Sequence, residues 1–135
     1  MISYKIIKIA SNTNFVGLKN KFTHKSTINN PLCGDSIKVE FIANKTMIKS
    51  MRYETEACIL CEASASLLAK KIKSFFLKDL EKDLNFFKEI KKNRNFSFPR
   101  KFKEFNQLLN ENNANRINCV ILPIEALSKA FKINT

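Results

Sequence analysis

The chain predicts an α+β fold, a small antiparallel sheet of about three strands packed against several helices. Three observations carry this. Ile37, Val39 and Phe41 alternate with Lys38 and Glu40, the period of a half-buried strand. From Cys58 onward the apolar residues recur at three-and-four spacing, the period of a helix. The strand-like segments come first and the helical ones follow, without βαβ alternation, which argues for two layers.

The elements follow in order. Residues 3 to 10 predict a short helix with Tyr4, Ile7 and Ile6 turned inward. Residues 11 to 32, rich in Asn, Thr and Lys, read as loop with a short strand near 23 to 28. Gly34 opens the alternating strand, Asn44-Lys45 supplies a turn, and residues 46 to 55 return with Met51 and Tyr53 on one face. EASASLLAKKIKSFF (62–76) is a helix whose small Ala63, Ser64, Ala65 and Ser66 permit close packing. Residues 76 to 92 place Leu77, Leu80, Leu84, Phe87 and Ile90 on one stripe, an amphipathic surface helix. Residues 93 to 99 break it, 102 to 109 form a short helix, and 110 to 115 a polar loop. The last helix carries Ile117, Val120, Ile121, Ile124, Leu127 and Phe131; Pro123 must sit near its first turn or kink it.

At 135 residues the chain suits one domain, 1–135, with enough core to stand without disulfides. The first 18 residues hold Lys5 and Lys8 and too short an apolar run for a signal peptide, and no stretch is long enough to span a membrane. We therefore expect a reducing cytoplasm, where clustered cysteines serve metal or sulfur chemistry. The net charge of +12 suits acidic partners. It concentrates in residues 70 to 103, whereas residues 51 to 69, around the CILC pair, are net acidic. A charged helix face is usually just solvated, so the basic stretch is a weak indication of nucleic acid.

Four cysteines stand out. Cys33 lies in NPLCGD (30–35), where Gly34 lets the thiol and the Asp35 carboxylate converge. Cys58 sits where strand gives way to helix, and Cys61 follows three residues on, so it lies on the same helical face. Cys119, beside Arg116, starts the last helix. Helix N-termini favour anionic groups, and thiolates with a carboxylate suit zinc or an iron–sulfur cluster. Each cysteine alone also reads as a small buried hydrophobe. The single histidine, His24, lacks a ligand-spaced partner and reads as a loop or surface residue. The same lack excludes a cysteine or serine hydrolase.

Taken together, NPLCGD, YETEACILCEASASLL and RINCVILPIEALSKAF resemble the U-type iron–sulfur cluster assembly scaffolds, the NifU N-terminal, IscU and SufU family. The likeness runs from about residue 23 to the C-terminus, and the joint spacing of the three islands makes it specific. It implies that Cys33, Asp35, Cys58 and Cys119 hold a transient cluster, of the 2Fe–2S type, for transfer to apo-proteins. A cysteine desulfurase would supply sulfur as persulfide, and zinc would compete for the same ligands. The chain would be a carrier rather than an enzyme, a monomer or weak dimer. Some positions depart from the family. Asn118 replaces the histidine of the IscU branch, Ala57 replaces a common glycine, and the LPPVK chaperone motif is absent. Arg116 matches an arginine of the SufU branch, and Cys61 is extra: a fourth thiolate, a substitute for the missing histidine, or a resolving thiol.

Three readings follow: a cluster scaffold; a zinc-dependent sulfur acceptor serving a desulfurase; and, remotely, a basic nucleic-acid module with a structural zinc.

Overall fold

The computed structural model describes residues 4–30, 34–93, 100–109 and 116–132; for 90–93 and 100–102 it describes the backbone alone. Helix α1 (Tyr4–Ala10) leads into strands β1 (His24–Asn29), β2 (Ser36–Ala43) and β3 (Ile48–Glu56). Helices α2 (Ile59–Lys71), α3 (Leu80–Asn93) and α4 (Ile117–Ala130) follow, with short 3₁₀ turns at Ile72–Ser74, Leu77–Asp79 and Arg100–Gln107. The sheet is antiparallel throughout, in the order β1-β2-β3. No helix among the described residues is long and apolar enough to cross a membrane.

The alternation in β2 does what its period requires. Ile37, Val39 and Phe41 are buried against the helices, and Met51 and Tyr53 of β3 join them. The opposite face of the sheet is largely exposed, at Lys25, Thr27, Lys38 and Ile42, and residues 14–20 cover only part of it. Glu40 is buried because its Oε1 accepts the amides of Lys19 (2.9 Å) and Asn20 (3.1 Å). Arg52, its cross-strand partner, donates to the carbonyls of Gly17 (3.0 Å), Asn14 (3.0 Å) and Val16 (2.7 Å). These two side chains hold residues 14–20 across the strands. The β2–β3 turn is set by Asn44, whose Oδ1 accepts the amides of Thr46 and Met47, both at 2.8 Å.

Helix α2 is the centre of the helical layer. Leu60 through Ala69 are almost entirely buried, because α1, β3 and α4 all pack on this helix. The alanines and serines at 63–66 let the neighbouring backbones approach. Helix α3 is amphipathic as its spacing predicts, burying Leu80, Leu84 and Phe87 while Lys82 and Lys88 face solvent.

Four expectations need correction. In α1 the inward stripe is Ile6 with Ile9 and Ala10, three and four residues on; Tyr4, 77% exposed, and Ile7, 44% exposed, lie off it. Helix α2 stops at Lys71 rather than continuing to Phe76. After the 3₁₀ turn, Phe75 and Phe76 take extended backbone instead: Ile48 donates to the Phe75 carbonyl (3.2 Å), and Leu77, opening the next 3₁₀ turn, to that of Thr46 (2.9 Å). His24 opens β1, its ring stacked on Phe131 at 4.0 Å, rather than lying in a loop. Pro123 lies midway along α4 rather than in its first turn. The break expected at 93–99 begins no earlier than 94, since Asn93 still belongs to α3; residues 94–99 and the loop expected at 110–115 lie outside the described residues.

Candidate metal centre

Three elements deliver the site. The β1–β2 connection closes through Gly34, whose amide donates to the Asn30 carbonyl (2.9 Å) while the Asn30 amide donates to that of Asp35 (2.7 Å). Gly34 takes φ +73°, a conformation that strains residues bearing a Cβ, although a Cβ there would meet open space. The turn thus presents Asp35 at the start of β2. Cys58 is the N-cap residue of α2, with extended backbone (φ −69°, ψ 165°). Cys119 lies in the first turn of α4.

The ligand atoms of Asp35, Cys58 and Cys119 all lie within 4.8 Å of one another. Zinc–sulfur bonds of about 2.3 Å in a tetrahedron put donors roughly 3.8 Å apart, so small side-chain rotations would gather this set around one ion. Asp35 Oδ1 accepts the Cys58 amide at 3.2 Å, which orients the carboxylate. Its other oxygen, Oδ2, is sealed from solvent without a hydrogen-bond partner, and the residue is only 6% exposed. A buried carboxylate oxygen without a donor is costly in isolation and well suited to a cation. The donor set therefore fits a metal.

The electrostatics agree. Burial pushes the Cys119 thiol up to about 12, opposed by the Arg116 guanidinium and reinforced by the neighbouring Cys58 and Asp35. Arg116, just ahead of α4, is held firmly in its charged form by hydrogen bonds to the Cys119 and Cys58 sulfurs. With both thiols ionised, two thiolates and a carboxylate facing one guanidinium leave two negative charges, which a single divalent ion neutralises. Both helices also aim their positive ends at these ligands.

Cys61 does not join the group. It is fully buried beneath the site, and burial pushes its thiol far above the ordinary range. Its burial in the core, three residues after the Cys58 cap, keeps its sulfur out of the group whose ligand atoms converge. Cys33 lies outside the described residues. The amide link from Cys58 to Asp35 went unforeseen in the sequence, since neither residue type nor spacing indicates it.

A three-stranded antiparallel sheet carrying a mixed thiol–carboxylate cluster against two helix starts defines a small α+β protein with a site that could hold a metal ion. The chain belongs to the family of the NifU-like N terminal domain, whose profile it matches over residues 1–132. Among solved structures it is similar to the N-terminal part of a NifU-like protein from Brucella abortus (TM-score 0.81, 18% identity, covering 96% of this chain and 91% of that one). It is also similar to a putative iron–sulfur cluster assembly scaffold protein for the SUF system from Fervidobacterium islandicum AW-1 (0.75, 18%, 96% and 95%). A hypothetical protein is a third likeness (0.70, 20%, 97% and 99%). No curated protein sequence matches.

Proposed function

We propose that this chain is a scaffold on which a transient iron–sulfur cluster is assembled and from which it passes to apo-proteins. The observation that carries the reading is the convergence of Cys58, Cys119 and the unpartnered buried oxygen of Asp35 at the meeting point of two helix starts and a turn. Cys33, adjacent to Gly34 in the sequence, supplies the third thiolate in this reading. Arg116 neutralises part of the thiolate charge and steadies the pair. Cys61 stays a core residue in this reading. An oxygen donor among thiolates makes for a labile site, as a carrier that must release its cargo requires.

Family membership and the SUF-system neighbour support a cysteine desulfurase as sulfur source and apo iron–sulfur proteins as recipients, working in a reducing cytoplasm. The same donors suit zinc, and zinc held there would make the chain a persulfide acceptor for the desulfurase.

The test is anaerobic reconstitution with ferrous iron, cysteine and a cysteine desulfurase, followed by visible absorption. Sulfur-to-iron charge-transfer bands that grow and then disappear on adding an apo-ferredoxin are the expected result. Absence of bands, with zinc retained and desulfurase turnover stimulated, would replace the scaffold by the sulfur acceptor.

A further inference from the structure

Resting on the metal-carrying reading above, we propose that Ser64 is a positioning residue that sets the distance between the ligands of α2 and those of α4. The argument begins with Pro123, which stands inside α4. Proline has no amide hydrogen, so the Cys119 carbonyl, four residues back, loses its ordinary intrahelical donor, and the ring crowds that carbonyl as well. The turn that carries Arg116 and Cys119 is therefore bound to the rest of its helix by one rung fewer, at the ligand itself.

The next carbonyl, that of Val120, is gripped from outside. The Ser64 hydroxyl donates to it at 2.5 Å, and Ser64 is completely buried. Ser64 belongs to α2, the helix capped by Cys58, and the first turn of that helix is closed by the Glu62 amide on the Cys58 carbonyl (3.1 Å). The hydroxyl thus links the turn bearing Cys119 to the helix bearing Cys58 across 56 residues of sequence. Ala63 and Ala65, both buried, let the two helices come close enough for so short a side chain to reach. The far half of α4 is tied separately, by the Ser26 hydroxyl to the Ala126 carbonyl at 2.6 Å. Losing the Ser64 tie frees the first turn of α4 to tilt about Pro123 and carries Cys119 and Arg116 away from Cys58 and Asp35, while the remaining helix stays seated.

The experiment compares zinc affinity by chelator competition, the ligand-field spectrum of bound cobalt, and metal-free melting in wild type, Ser64→Ala, Ser64→Thr and Ser26→Ala. Ser64→Ala should bind zinc about tenfold more weakly or worse, the range for groups that orient metal ligands, with an altered cobalt spectrum. Ser64→Thr, which keeps the hydroxyl, should restore both, and Ser26→Ala should lower melting yet keep the affinity. Pro123→Ala returns the missing amide, so Ser64→Ala/Pro123→Ala should fold and recover zinc binding even where Ser64→Ala does not fold. Unchanged zinc affinity in a folded Ser64→Ala, an equal loss in Ser26→Ala, or no recovery in the double variant would each overturn the positioning role. Wild type that binds neither metal would instead overturn the proposed function, and the inference with it.

Discussion

Asp35→Asn should stabilise the metal-free protein while weakening its hold on metal. Asp35 is 6% exposed, its Oδ1 is engaged by the Cys58 amide at 3.2 Å, and its Oδ2 is buried without a partner. Asparagine keeps a carbonyl oxygen for that amide and removes the charge from the unpartnered position. An unsatisfied buried group costs about 1–3 kcal/mol, more when charged. The new amide NH₂ faces sulfurs, which are weak acceptors, so part of that cost remains. A net gain of about 1–2 kcal/mol is expected, which for a chain of this size raises the melting temperature by roughly 4–8 °C. Thermal melts with chelator present, beside zinc competition, measure both sides. Loss of even the groups that orient ligands costs about 10–100-fold in affinity, so loss of a ligand charge should cost no less. Metal-free melting that stays level or falls would refute the reasoning, since it would mean the buried oxygen is already compensated.

Other outcomes follow from the same geometry. Cys61→Ser places a hydroxyl at a fully buried position, so it should cost about 1–3 kcal/mol in denaturant unfolding while leaving zinc stoichiometry unchanged. Zinc affinity should rise with pH: Cys119, pushed up to about 12, is protonated near neutrality and must release its proton to bind. That thiol alone contributes about tenfold per pH unit, and a flat profile between about pH 6 and 8 would remove it from the ligand set. Arg52→Ala loses three hydrogen bonds to residues 14–17, at about 1 kcal/mol each or less. Amide exchange should speed up across residues 14–20 well before it does in β2.

Legibility in the sequence followed the range of the interaction. The Ile37–Val39–Phe41 alternation and the leucine stripe of α3 are local patterns, and they predicted strand and helix correctly. The end of α2 was not local. Its residues favour helix through Phe76, and pairing with residues 46–48 overrides that preference. The site divides the same way. That Asp35, Cys58 and Cys119 belong together was legible through the family resemblance of three sequence islands, because no periodicity links positions so far apart. Cys61 shows the limit of spacing arguments: CxxC counts residues, whereas packing against the core decides which sulfur reaches the site. Ser64 read simply as a small residue, since a carbonyl in another helix leaves no trace in sequence.

The cover on the outer face of the sheet has a consequence for how this protein can change. Glu40 and Arg52 grip residues 14–20 through peptide amides and carbonyls, atoms that any substitution except proline leaves in place. The backbone of Tyr53 adds its own pairing to Phe15 and Gly17, so apart from Phe15, which packs against the core, the side chains of that segment can drift with little effect on its path. The exceptions are Gly17 (φ +99°) and Asn20 (φ +57°), where the path turns through conformations that few other residues accept. Divergence along this surface should accumulate around those two letters and pass over them.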